Sequence, residues 1–214
     1  MCKASALLQE QSSVNGYLEL IRTWTKDTTS VVACSVKSGR VIGVAITRID
    51  SLPEKMDVYN RVQILEGVQL KSIMHLMNTL ILQTNPYDRF KLHEYFRIYL
   101  TCVHPSYQVK GIEIALLDAC VQVAKSLKFS AIGGIFTCGA SQTKARSIGF
   151  ELFSEIRYNR WVVDDRVVFD DPGRGNHSAA FMGMLMSSEE ELDNNETPFI
   201  DVTPKKVGGN LFDE

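Results

Sequence analysis

Between His104 and Cys120 the chain reads HPSYQVKGIEIALLDAC, a polar turn that runs into an amphipathic helix. The start of a helix presents unpaired N–H groups and a partial positive charge, so it can seat a pyrophosphate if the backbone comes close. Gly111 supplies that approach, and Gln108 precedes it by three residues. Glu113 is out of character. Facing the same space, its carboxylate crowds the turn and repels an anion. Two charges about 5 Å apart at an effective dielectric of 20 to 80 interact by roughly 1–3 kcal/mol. Facing solvent instead, the same carboxylate simply favours the helix N-terminus. Lys110 stands near enough in sequence to act as a partial counter-charge.

Other reactive side chains give weaker patterns. Five cysteines, an odd count without a CxxC pair, include Cys34, Cys102 and Cys138 in apolar runs. They read as reduced core thiols of an intracellular, cytoplasmic protein. No metal-ligand spacing stands out. The net charge of −2 gives no general pull toward nucleic acid or membrane. From Ser187 onward the chain carries eight acids and two lysines, a net −6, so the remainder stands at +4, the difference from −2. That balance suits a small anionic ligand as well as ordinary solvated surface. The apolar stretches are too short to cross a bilayer, and the first residues lack a signal-peptide pattern.

The elements that must position these residues follow from periodicity. Val14, Tyr17, Leu18, Ile21 and Trp24 predict a helix from about Leu7 to Trp24, weakened or broken near Gly16. SVVACSV, SGR and VIGVAITRI predict a hairpin with Gly39 in its turn. In VQILEGVQLKSIMHLMNTLILQ a broad apolar face (Ile64, Leu65, Val68, Ile73, Leu76, Met77 and Leu80) predicts a long helix. YFRIYLTCV reads as a strand buried on both faces, ended by His104-Pro105. A helix from Gly111 to about Leu127, the strand FSAIGGIFT and a short helix closed by Gly149 come next. ELFSEIRYNRWVV and SAAFMGMLM are late strands, joined by the turn-rich DDPGRGNHS. Residues 1–186 therefore form one α+β domain, and 187–214 an acidic disordered tail.

With the pieces YLTCVHPSYQVKGIEIALLDAC, SQTKARSIGFELFSEIRY and YDRF…EYF in this order, the chain resembles the GNAT superfamily of acetyl-CoA-dependent N-acetyltransferases. Within it the resemblance is to insect arylalkylamine N-acetyltransferase-like proteins, over about Leu18 to Met186. It implies a central mixed sheet, mostly antiparallel with a parallel central pair, flanked by helices. It implies acetyl-CoA as co-substrate and a small aromatic amine as acceptor. The family's loop has Gln or Arg, two residues, Gly, one residue, then Gly or Ala. Gln108, Gly111 and Glu113 occupy those places, so the second small residue is replaced by an acid. By the same resemblance, the backbone from Val109 through Lys110, Gly111 and Ile112 to Glu113 cradles the pyrophosphate. Cys102 and Val103 then bind the acetyl and pantetheine groups.

The catalytic groups are harder to place. The tyrosine that many family members use to protonate the thiolate falls on Ala145. Thr137 and Ser141 are the nearest hydroxyls. Ser141 also lies where relatives touch the coenzyme, and it reads equally as the N-cap of a helix beginning near Gln142. His104 is the candidate base beside the cleft, with a loop-capping role as its plainer reading. Glu10 and Glu19 read as surface-helix residues, His75 and His93 have weaker claims as the base than His104, and His177 reads as structural. The family's first strand and helix, which supply acceptor-site walls and a glutamate base, have no counterpart. Two functions therefore stand side by side: a weak N-acetyltransferase, or a degenerate relative that binds or dimerises. The strand at residues 30–36, left as an open apolar edge, is the expected dimer contact.

Overall fold

The structure, a computed structural model, describes residues 4–52, 65–108, 111–163 and 165–186. Ile64, the pair Val109 and Lys110, and the tail 187–214 lie outside the described residues.

One six-stranded sheet forms the frame. Its strands are β1 (Val31–Cys34), β2 (Val41–Ser51), β3 (Glu94–Val103), β4 (Ala131–Phe136), β5 (Glu151–Arg157) and β8 (Ser178–Leu185). A short hairpin, β6 (Val162–Val163) with β7 (Arg166–Val167), stands apart. The order is β1-β2-β3-β4-β8-β5, and every pairing is antiparallel except β3 with β4. This is the mixed sheet with a parallel central pair that the family resemblance implies.

Helices cover both faces. On one, α4 (Ile112–Ser126) and α5 (Gly139–Ser147) bury Leu116, Leu117, Cys120, Val121 and Ala145 against Phe96, Ile98, Ile132 and Met182. On the other, α1 (Gln11–Trp24) and α2 (Val68–Thr84) bury Trp24, Leu70, Ile73, Leu76 and Leu80 with Ile46 and Ala179. The short α3 (Pro86–Phe90) places Tyr87 and Phe90 against Tyr95 and Phe181.

Several sequence expectations need correction. A 3₁₀ turn at Leu7–Gln9 precedes α1, which then runs unbroken through Gly16. Gly16 is there for contact rather than for a break. A Cβ at that position would lie 2.8 Å from Leu70 of α2. The long helix begins only at Val68, which is exposed, because Gly67 (φ 95°) turns the chain beside Ser13. Its first N–H groups are satisfied from α1. Glu10 accepts from Val68 N (3.1 Å) and Gln69 N (2.9 Å), and Ser13 Oγ accepts from Leu70 N (3.0 Å). Glu10 is therefore a cap borrowed across the fold, not a plain surface acid. Cys34 and Cys102, expected in the core, are exposed, whereas Cys120 is buried. Burial pushes the Cys120 thiol up to about 12, so it stays protonated.

Candidate active site

The parallel pair lasts only three residues: Phe96 beside Ile132, Arg97 beside Gly133, and Ile98 beside Gly134. A Cβ on Gly134 would lie 2.8 Å from Ile98 O, so glycine is what allows this last contact. β3 then bulges. Consecutive residues Ile46 and Thr47 of β2 face Leu100 and Ile98, which leaves Tyr99 as the extra residue. A bulge bends its strand, and β3 leaves β4 at this point while β4 continues beside β8 to Phe136. The two strands splay, and burial falls from Ile98 to the exposed Cys102.

Backbone orientation inside the splay follows from one bond. His104 N donates to Ile42 O at 2.8 Å. Alternation along an antiparallel ladder then pairs Cys102 with Val44 and turns the N–H and C=O of Thr101 and Val103 toward the splay. Thr101 and Val103 thus open toward the splay, while the backbone of Cys102 is turned toward β2. The first turn of α4 lies beside it: a Cβ on Gly43, the β2 partner of Val103, would come within 3.2 Å of Ile112 Cγ2. Gly111 caps α4 in the left-handed region (φ 73°), is exposed, and lends no side chain to the helix end. Gln108 is also exposed.

Glu113 does not project freely in either of the expected directions. Its carboxylate accepts from the Ser141 hydroxyl and from the Lys144 ammonium, both on α5. The Glu113 side chain is 16% exposed and that of Lys144 28%, so the pair is partly shielded from water. Ser141 is not the N-cap. That position is Cys138, whose sulfur accepts from Ser141 N (3.4 Å) and donates to Ser141 Oγ (3.0 Å). A polar chain thus runs from Cys138 through Ser141 to Glu113 and Lys144, clamping the starts of α4 and α5 together. His104 caps the 3₁₀ turn Pro105–Tyr107 through Nδ1, which accepts from Ser106 N at 3.3 Å, and its ring meets Tyr107 edge-on. His75, His93 and His177 are exposed, with His75 set against the Trp161 ring.

The opposite face of the splay holds a cavity of about 50 Å³ between α1, α2 and strands β2 to β4. Trp24, Met74, Met77 and Ile135 form its apolar wall, and Arg48, Asn78, Arg97 and Tyr99 its polar one. Asp50 lies beneath. It accepts from Tyr95 Oη (3.0 Å), Tyr99 Oη (2.6 Å) and Arg97 NH1 (2.8 Å). Burial pushes both tyrosine hydroxyls up, so they keep their protons and serve as donors. Burial works against the charge on Arg97, yet neighbouring Tyr99, Asp50 and Tyr95 raise its pKa overall and hold it ionised. Its guanidinium also covers the Tyr99 ring at 4.3 Å. Arg48 is tied to Asp27 at 2.9 Å.

Sequence reasoning passed over the Arg97 network, Cys138 and Lys144. A signal for the first was present: an arginine inside YFRIYL, a strand read as buried on both faces, needs a buried partner. Nothing in the sequence marks Lys144 as the partner of Glu113.

No family model matches the sequence, and no curated protein matches it. Solved structures do. A mosquito arylalkylamine N-acetyltransferase like 5b superposes with a TM-score of 0.71 at 21% identity, over 78% of this chain and 79% of that one. Arylalkylamine N-acetyltransferase 2 of Aedes aegypti gives 0.74 at 20% identity, over 79% and 78%. The polyamine N-acetyltransferase of Drosophila melanogaster gives 0.69 at 17%, over 78% and 79%. The fold is the one shared by these GNAT N-acetyltransferases.

Proposed function

We propose that this chain is an acetyl-CoA-dependent N-acetyltransferase of small amines, with aromatic amines as the first class to test and with slow turnover. The observation that carries this reading is the splay itself: open backbone groups of Thr101 and Val103 beside the bare N-terminus of α4. Acetyl-CoA supplies the acyl group as a thioester. Thr101 and Val103 can pair with the amides of an extended pantetheine as a neighbouring strand would. Gly111 and the N–H groups of Ile112 and Glu113 are the described part of the pyrophosphate seat, and Gln108 flanks it. Val109 and Lys110 complete it by resemblance alone. The structural neighbours support the same class: one is the Drosophila enzyme that forms N-acetylagmatine.

Direct transfer needs no protein nucleophile. It needs a group to take the ammonium proton and one to protonate the departing thiolate. Ser141, held between Cys138 and Glu113, is the proposed hydroxyl for the thiolate. His104 is the proposed base. A reducing, cytoplasmic setting fits the free Cys34, Cys102, Cys120 and Cys138. The second reading, a catalytically degenerate binding or dimerising relative, draws on the cavity wall, where no carboxylate or histidine stands among the described residues. Free-thiol release in the presence of acetyl-CoA and tryptamine separates the two. The enzyme reading expects slow release that requires both substrates and falls about 10²-fold or more in Ser141→Ala or His104→Ala. Coenzyme binding without amine-dependent release favours the degenerate relative.

A further inference from the structure

The cavity on the α1 and α2 side of the splay is walled mainly by carbon. Leu20, Trp24, Leu65, Met74, Met77 and Ile135 line it. The charged and phenolic groups at its margin are engaged with acids: Tyr99 Oη with Asp50 at 2.6 Å, Arg97 NH1 with Asp50 at 2.8 Å, and Arg48 Nε with Asp27 at 2.9 Å. No carboxylate stands among the described lining residues, so an ammonium group would enter this space without a counter-charge. An apolar tail needs only the carbon walls.

Size and position set the length of that tail. The enclosed space of about 50 Å³ is well below the roughly 150 Å³ that holds a benzene ring, so it takes about two carbon atoms and leaves a ring outside. Met74 and Met77 are unbranched and flexible, which lets them close around a thin chain. Ile98 and Tyr99 of β3 and Ile135 of β4 belong both to the cavity and to the strands that part at the splay. Thr101, whose backbone opens toward the splay, follows Tyr99 by two residues, about 7 Å along the strand. An acyl group whose carbonyl is held at Thr101 therefore reaches the cavity only with carbons beyond the acetyl methyl.

We infer that this cavity receives the end of the donor's acyl chain, so that the protein accepts straight-chain acyl thioesters of coenzyme A up to about four carbons and binds butyryl-CoA more tightly than acetyl-CoA. This rests on the transferase reading above and extends it from acetyl to short-chain acyl groups. The step balances as it does for acetyl: the nitrogen of the neutral amine bonds to the acyl carbon, the C–S bond breaks, the amine loses one proton and the thiolate gains one. The products are an N-acyl amine and free coenzyme A.

The test titrates coenzyme A and its acetyl, propionyl, butyryl and hexanoyl thioesters into the full chain, labelled with ¹³C at the methionine methyls. The Met74 and Met77 signals are assigned through Met74→Leu and Met77→Leu. Each carbon added from acetyl to butyryl should tighten binding about three- to fourfold, and hexanoyl should gain nothing more. Both methyl signals should move with butyryl-CoA and stay where acetyl-CoA leaves them. In Met77→Phe, which fills the cavity, the advantage of butyryl over acetyl should shrink to less than about threefold. The methyl signals of the unmodified chain stand as evidence even if that variant fails to fold. Equal affinity from acetyl to butyryl, methyl signals unmoved by butyryl-CoA, or a gain that continues undiminished to hexanoyl overturns the inference. So does tryptamine alone, if it moves both signals as far as butyryl-CoA does, because the cavity then belongs to the acceptor. Coenzyme binding without dependence on chain length sinks the acyl cavity and leaves the transferase standing. Absence of binding by coenzyme A and all of its thioesters sinks the transferase reading and the inference with it.

Discussion

Glu113 occupies a place where the proposed coenzyme would bring an anion close, yet the charge it brings is shared with Lys144. A paired carboxylate casts a weaker field than a bare one. Removing Lys144 should therefore harm coenzyme binding more than removing Glu113 helps it. Lys144→Met leaves the acid unbalanced and should weaken acetyl-CoA by about 1–3 kcal/mol. Glu113→Gly should tighten it by less than about tenfold, since the loss of the acid also frees Lys144 toward the phosphates. Calorimetry on both variants reads the two effects. Equal affinity in all three proteins would place the pair outside the coenzyme's field. Ser141 is bound to the same carboxylate, so its hydroxyl is oriented by Glu113 as well as by Cys138.

At the scale of elements, α2 depends on α1 for its start. Ser13 is fully buried and accepts from Leu70 N, so Ser13→Ala strands that donor and should cost about 1–3 kcal/mol in urea unfolding. Glu10 gives this joint a pH signature. The Ser13 hydroxyl first, then the Gln69 and Val68 amides, hold its carboxyl below the ordinary value of 4.5. A depressed folded-state pKa contributes stability above the unfolded value, and that contribution is lost as pH falls through the folded one. Glu10→Gln should therefore flatten the pH dependence of unfolding below about 4.5 and leave its shape near neutrality unchanged. At the edge of the sheet, β1 lies last, with β2 as its strand partner. Val32 is 56% exposed there, and Val31 and Ala33 pack inward beside α4. We propose self-association through this edge. Val32→Lys should shift sedimentation toward the monomer; a wild-type chain that stays monomeric at high concentration would contradict it.

For the whole molecule, the frame was legible and its joints were not. Alternating and helical periodicities predict the strands and helices, the family resemblance implies their mixed sheet, and Gly149 closes α5 as expected: its N–H reaches Arg146 O, and Phe150 N reaches Ala145 O. Gly111 likewise stands at the start of α4. The bulge at Tyr99 is a property of register between β2 and β3, which no single strand's pattern contains. The Glu10 cap and the Glu113–Lys144 clamp join residues far apart in sequence, so they exist only once the chain has folded. The splay, the open backbone of Thr101 and Val103, and the α4 N-terminus come together through these joints, and together they make the proposed coenzyme site. Calorimetric titration of the full chain with acetyl-CoA tests that claim most directly. The expected result is saturable binding at a single site, weakened by Lys144→Met. Absence of binding by both the unmodified chain and Glu113→Gly would contradict the account.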